Sequence, residues 1–398
     1  MARFPREFYL VTGLATLAFI GSSVIQPFFS LYVDEVGASP IELGLIISLF
    51  SYTTLLTRLP LGILSNKVGI WWVVPLALIG QSVCYIFYGF ATNSSQFYVI
   101  RIIHAIALAS LQPTLMTITL TILPEDRRGE GVGIYLTSVG LSMMGGPLLC
   151  SLLLSLFDYR TTLLLSSMIP LFTFLVYIGL LKTETMSRQL SREARKEPVN
   201  KSSWSSLMEI VTIRSVQALT YSRFAFAVSL SFITTLYAVY AVNSLYIAPA
   251  VYALLYSLRG LANTVSRLPT GRISDTIGRK KPLLLSFILL TGVFLLFSEA
   301  RDPVMIGFTM FLYGTAHGIR AVSEWAFFAD TVLPENRTLA NSYFHSVFDL
   351  GLALGATFAG SAAMVVSTPT ILKGAAVLMS SSVIVIALTQ ISRKSSTS

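Results

Sequence analysis

The sequence predicts an all-α membrane protein with twelve spanning helices arranged as two pseudo-symmetric halves of six. Three observations predict it. The 398 residues are 54% hydrophobic and 12% charged, with a mean hydropathy of +0.72, whereas soluble domains carry roughly 25% charged residues. Apolar runs of about 20 residues, the length that crosses the hydrocarbon core of a bilayer, recur twelve times. A segment of the first half returns in the second. The composition excludes a soluble enzyme, which needs more polar side chains to cover its surface, and a disordered chain, which cannot hold so much Leu, Ile, Phe and Val.

The first run, 8–32, is longer than the apolar stretch of a signal peptide and lacks a small-residue cleavage pattern, so it is expected to persist as a span. The second, 41–64, opens at Pro40. The third, 70–91, follows Gly69. Next come 96–122, which stops before Pro124, then 131–157 and 161–182. A polar stretch over 183–213 carries Arg188, Arg192, Arg195, Lys196 and Pro198. It reads as a linker whose end (Trp204, Leu207, Met208, Ile210, Val211) is either solvated or laid on the membrane surface. The second half supplies 215–242, 248–271, 282–298, 303–332, 338–366 and 369–391, punctuated by Gly278, Pro282, Pro303 and Pro334. None alternates with the two-residue period of a barrel strand. The expected units are a bundle over 1–182, a cytoplasmic linker over 183–213 and a second bundle over 214–398.

Lys and Arg number 28 against 19 Asp and Glu, a net charge of +9. A basic excess can mark a nucleic-acid binder, but here it falls in alternate loops. One set holds Arg3, Arg6, Lys67, Arg127, Arg128, the linker arginines, Arg279, Lys280, Lys281, Arg337, Arg393 and Lys394; the other holds little beyond Arg160, Arg301 and Lys373. Basic loops stay inside. Both termini are therefore expected in the cytoplasm, with the chain a monomer in the plasma membrane, partnered by lipid and a small-molecule solute and not by nucleic acid. Cys84 and Cys150 lie in apolar runs, the three histidines have no metal-ligand spacing, and no P-loop is present. No disulfide, metal, cofactor or enzymatic chemistry is expected.

The segment from Arg58-Leu59-Pro60 through Gly62 to Gly69 recurs as Arg267-Leu268-Pro269 through Gly271 to Gly278, an offset of 209. Leu123-Pro124-Glu125-Asp126-Arg127 recurs at nearly the same offset as Leu333-Pro334-Glu335-Asn336-Arg337. Two matches in register imply two copies of one six-helix unit, and parallel repeats with a substrate site between them are a common transporter plan. Gly62, Gly69, Gly271 and Gly278 permit tight turns. Asp275 can pair with nearby arginines or favour a helix N-terminus.

The run from Gly271 to Lys280 resembles the signature between helices 8 and 9 of the major facilitator superfamily, and Gly62 to Gly69 resembles its first-half copy, with Asn66 at the acidic position and Ile70 and Trp71 replacing a basic pair. Arg101-Ile102-Ile103-His104-Ala105 resembles the Arg-x-x-Gln-Gly run of helix 4. Ser142 to Pro147 resembles part of the Gly-rich helix 5 motif of proton-driven exporters, though Cys150 and Ser151 replace its trailing glycines. Its glycines, like Gly351 and Gly355 of helix 11, can equally serve close helix packing. The resemblance, to sugar and drug exporter-like members, implies a secondary transporter of two rocking bundles, with gating roles for Gly271, Asp275, Gly278 and Arg279.

An ionisable residue at mid-membrane costs at least about 2.5 kcal/mol on insertion scales, so it should face a cavity or a partner. The third and sixth helices of each half are nearly free of charge and should face lipid. Tyr313, His317, Arg320 and Glu324 form one helical stripe; Tyr252, Tyr256, Arg259 and Asn263 form a second; Ser342, His345 and Asp349 form a third. Arg223 lies on helix 7, Arg101, His104 and Gln112 on helix 4, and Gln26 on helix 1. The expected solute-binding residues are Gln26, Arg101, His104, Gln112, Arg223, Tyr256, Arg259, His317 and Arg320. Glu324 and Asp349, the acids near mid-depth, are the proton-coupling candidates, with His345 as an alternative. Arg320 with Glu324, and Arg259 with Asp349, can also be structural pairs. The excess of deep arginines points to an anionic or strongly polar solute. The expected function is transport of a small organic solute by alternating access with proton coupling. The alternatives are proton-driven efflux of drugs or sugars, or a non-transporting receptor of the same fold.

Overall fold

The computed structural model describes residues 4–68, 70–124, 127–181, 204–332 and 337–389. Gly69, the loop residues 125–126 and 333–336, and the linker as far as 203 lie outside the described residues. Every regular element among the described residues is helical. The first half comprises α1 (Arg6–Ser23), α2 (Phe29–Glu35), α3 (Pro40–Val68), α4 (Ile70–Phe90), α5 (Ser94–Leu108), α6 (Leu111–Ile122), α7 (Arg128–Leu156), α8 (Tyr159–Ser166) and α9 (Met168–Leu181). After α10 (Trp204–Thr212), the second comprises α11 (Arg214–Phe232), two π-helical turns (Ile233–Tyr237 and Tyr240–Ser244), α12 (Pro249–Ile277), α13 (Lys280–Glu299), α14 (Pro303–Thr331), α15 (Arg337–Ala362) and α16 (Thr368–Leu388).

Eight of these stretches are long and apolar enough to cross a membrane by length and composition, fewer than the twelve runs read from the sequence. The other long helices, α12, α14 and α15, have 29, 29 and 26 residues. At 1.5 Å per residue each is about 40 Å long, more than a bilayer's hydrocarbon thickness. Their ionisable stripes lower the hydropathy, not the length. The expected span 8–32 is interrupted by the turn over 24–28, whereas 96–122 and 161–182 hold as the stretches Ser94–Ile122 and Tyr159–Leu180, with short turns at Ala109–Ser110 and Ser167. Conversely α3 and α12 run through Pro60 and Pro269 and beyond the expected ends, to Val68 and Ile277. The second stop is set by Gly278, whose φ of +89° suits glycine alone.

The packing of the first half recurs in the second. α1 packs on α7 and α9, α3 on α5, and α4 on α5 and α9; correspondingly α11 packs on α15 and α16, α12 on α14, and α13 on α14 and α16. The halves meet along two seams, α3 with α15 and α7 with α12, and exchanging the halves turns one seam into the other. The seam helices run antiparallel: Ser151 Oγ donates to Ala250 O at 2.7 Å, and Gly260 lies against the Met143–Met144 backbone.

One end of the bundle gathers the chain's ends. Arg127 lies over the Phe4 ring at 4.0 Å, and Lys280 Nζ donates to Thr389 O at 2.8 Å. At the far end the halves are joined. A Cβ on Gly44 would come within 2.8 Å of Gly360 Cα, and Asn243 Nδ2 donates to Asp34 Oδ2 at 2.8 Å. Apolar packing follows the same division. One buried cluster runs across both halves from Val24, Leu43 and Tyr88 to Phe232, Tyr252 and Phe297, whereas the chain-end part of the first half (Phe8, Leu14, Leu78, Leu115, Tyr135) forms a separate core. Toward the chain ends, a Cβ on Gly133 or Gly271 would meet no atom within 4 Å. Among the described residues the halves are thus packed together at the far end.

Candidate functional site

The stripe on α14 faces α11 and α12 because its neighbours are small. Gly314 lies against the Arg259 backbone, and Gly318 would place a Cβ 2.7 Å from Asn263 O. Close approach of the backbones brings the long side chains of three helices into one layer. Glu324 is fully buried, and its Oε2 accepts from Arg320 Nη1 at 2.5 Å and from Arg223 Nη1 at 2.7 Å. Its Oε1 has no hydrogen-bond partner among the described residues. Arg223 is further held by Phe344 O at 2.8 Å and lies over the Phe344, Trp325 and Phe348 rings. Arg320 stacks on Phe226 at 3.8 Å. One carboxylate thus serves two guanidiniums, and aromatic faces supply the remaining negative potential.

One turn further from the chain ends, Arg259 Nη1 donates to Tyr256 Oη at 2.6 Å and faces Tyr313, with no carboxylate partner. His317 packs between Phe226 and Tyr313 in the combined field of Arg320, Arg259, Arg267 and Arg223, with Nδ1 unpartnered. In the first half Arg101 lies between the Phe29 and Phe50 rings at 4.4 and 4.7 Å. His104 is enclosed by Phe50, Tyr85 and Tyr88, with Nδ1 3.4 Å from the Tyr88 hydroxyl. Gln26 and Gln112 are exposed, at the α1–α2 turn and at the start of α6. The expected binding residues therefore form two groups, a cation–aromatic patch in the first half and a larger guanidinium layer in the second.

Two expected partnerships have different outcomes. Arg320 does pair with Glu324. Arg259 does not tie to Asp349: Asp349 Oδ2 meets Arg58 Nη1 of α3 at 2.8 Å, across the seam. The reason is register, since α3 and α15 cross between halves at that level while Arg259 turns toward its own tyrosines. His345 packs on Trp325 at 5.2 Å and is exposed. Arg58 and Arg267 were not among the expected site residues. The available signal was that both open the repeated Arg-Leu-Pro segment. Counted with Arg101, Arg223, Arg259 and Arg320, six guanidiniums face two carboxylates, Glu324 and Asp349, in the membrane-crossing parts of the described residues.

At the chain-end side, Arg279 bridges Asp275 and Asp330, the latter at 3.1 Å, fastening the end of α12 to the end of α14 within one half. Gly145 and Gly146 pack against Ile20 and Ser23 of α1, and Gly351 and Gly355 pack against α11. These glycines serve close helix approach.

The sequence profile of the Major Facilitator Superfamily matches residues 11–242 and 219–397. An MFS-type transporter of Methanocaldococcus jannaschii, MJ1560, is 21% identical over 392 residues, spanning 95% of this chain and 96% of its own. The multidrug resistance protein MdtG of Klebsiella pneumoniae is 23% identical over 347 residues, spanning 84% and 81%. Among solved structures, the nucleoside transporter NupG superposes with a TM-score of 0.76 at 16% identity, covering 96% of this chain and 98% of its own. An inward-facing, unoccupied bacterial homologue of the human lysosomal transporter Spinster superposes with a TM-score of 0.71, covering 96% and 93%. At these identities the structures speak for the fold alone.

Proposed function

The chain belongs to the Major Facilitator Superfamily, a family of multi-pass membrane transporters and not of enzymes, and from that premise we propose that it carries a small organic solute across the plasma membrane by alternating access coupled to protons. The moving parts are two six-helix bundles, 1–182 and 214–398, linked by 183–213. Twelve spans leave both termini in the cytoplasm, as the alternation of basic loops requires. The chain-end side is then cytoplasmic, and the Gly44–Gly360 contact lies on the outer side.

The observation that carries this reading is the pair of exchangeable seams, joined at the far end by the Gly44–Gly360 and Asn243–Asp34 contacts. Two copies of one packing unit can rock about such seams, because the helices of each seam have counterparts in the other. Glu324 supplies the proton site. Ionised, it neutralises one of two adjacent guanidiniums; protonated, it releases both. Loading a proton therefore changes the charge of the layer that meets the solute. One charge moved through 100 mV is worth about 2.3 kcal/mol, enough for a concentration ratio of roughly 50.

A second reading, efflux of drugs, is favoured by the relatives named MdtG. It differs in direction and solute, not in mechanism.

The test is solute flux in vesicles containing the purified protein. Saturable flux that follows an imposed pH gradient is expected, and Glu324→Gln should lower the gradient-driven part by about tenfold or more, a barrier change of at least about 1.4 kcal/mol. Flux that ignores the gradient, with Glu324→Gln at the wild-type rate, removes the coupling assignment. Ligand binding with no flux at all would mark a receptor.

A further inference from the structure

The two seams copy one another except in charge. On the α3–α15 seam, Arg58 Nη1 meets Asp349 Oδ2 at 2.8 Å. On the α12–α7 seam, the position 209 residues after Arg58 is Arg267, and the position 209 residues before Asp349 is Gly140. The helices touch at this level: Gly140 lies against the Thr264 side chain, which leaves no room for a carboxylate there. Arg267 keeps the charge of its counterpart and has lost the counter-ion.

No other group replaces it. Among the described residues Arg267 makes no hydrogen bond or ion pair, its Nε is buried without a partner, and the charged group within its reach is another cation, Arg320. Arg320 is 3% exposed, shares Glu324 with Arg223, and also leaves its Nε unpartnered. α12 and α14 are held together by the Gly318 contact with Asn263 and Ser266, so the two guanidiniums are anchored on one rigid pair of helices. Nearer the chain ends on the same two helices, a Cβ on Gly133 or Gly271 would meet no atom within 4 Å. Two like charges in a low-dielectric layer, short of one counter-ion and carrying unused N–H donors, form a site that a planar carboxylate or a phosphate satisfies by charge-assisted hydrogen bonds.

We propose that Arg267 and Arg320 form an anion subsite, and that the carboxylate or phosphate of the transported solute occupies the place that Asp349 fills for Arg58. The inference rests on the transporter reading above and deepens it by naming the substrate class, a small organic anion. The empty protein carries a cation–anion pair on one seam only, and the bound solute supplies the second.

The test uses the purified full-length protein in detergent, with succinate, inorganic phosphate and phosphatidylglycerol as separate probes. Succinate or phosphate should raise the unfolding temperature saturably. Arg267→Gln should weaken that binding by about tenfold or more, and Arg267→Lys should keep part of it, both variants eluting as monodisperse folded protein. Wild-type protein that binds neither soluble anion, or a folded Arg267→Gln that binds them unchanged, overturns the subsite. An Arg267-dependent shift given by phosphatidylglycerol alone assigns the site to lipid headgroups and overturns the solute proposal. Vesicle flux separates this inference from its premise. Gradient-driven glucose flux with no anion flux, insensitive to Arg267→Gln, overturns the anion subsite and leaves the transporter standing. Arg267-dependent anion binding without flux of any solute overturns the transporter and leaves the site.

Discussion

Glu324 and Asp349 show how a membrane protein keeps carboxylates at depth. Each is set against guanidinium, since a buried charge without a partner costs several kcal/mol. The Arg320–Glu324 pair was legible in the sequence because four residues make one helical turn. The Arg223 contact was not, because it depends on how far α11 lies from α14. Asp349 is the sharper case: its partner is Arg58, on a helix nearly 300 residues away in sequence, and local periodicity carries no information about register between distant helices. This pair is about a third exposed on the arginine side, so its worth is on the order of 1 kcal/mol. Asp349→Asn should therefore move the population away from the far-end-closed form by about fivefold. Labelling of a single cysteine introduced at Asn243 would read this as faster modification from the far side. An unchanged labelling rate would show that the Arg58 contact does not hold the seam.

At the scale of elements, small residues decide which helices approach. The Gly351 and Gly355 face on α15 was readable as a packing face, and it packs on α11. The far-end contact of Gly44 with Gly360 was not, since Gly44 has no glycine within a few turns on α3 and Gly360 stands five residues from Gly355, off its face. A side chain at Gly360 would run into the Pro40 carbonyl and come within 2.7 Å of Gly44 Cα. Gly360→Val should hold α3 and α15 apart, reducing turnover by about tenfold or more while the variant still folds, because each half keeps its own packing. Turnover at the wild-type rate would show that the seam need not close there. The break at 24–28 and the short turns at 109–110 and 167 were invisible to a hydropathy ruler, which measures apolar length and not local hydrogen bonding.

At the scale of the whole molecule, the Asp275–Arg279–Asp330 network lies on the chain-end side, opposite the joined end. If the loop takes part in closure, Asp275→Asn should slow cycling several-fold while equilibrium solute binding stays near wild type; equal slowing in both measurements would point to misfolding, and no slowing would remove the gating role. The sequence alone determined that the chain lives in a bilayer, that its halves are copies, and that its charge collects on the fourth, seventh, eighth, tenth and eleventh of the expected spans, because hydropathy, repetition and helical period are properties of consecutive residues. Tertiary structure alone decided which charges meet across seams, which end is joined, and that Arg267 lacks the counter-ion its twin possesses. Those outcomes depend on distances between helices remote in the chain, and such distances are set by side-chain volume at crossing points, a quantity that emerges only when both helices are in place.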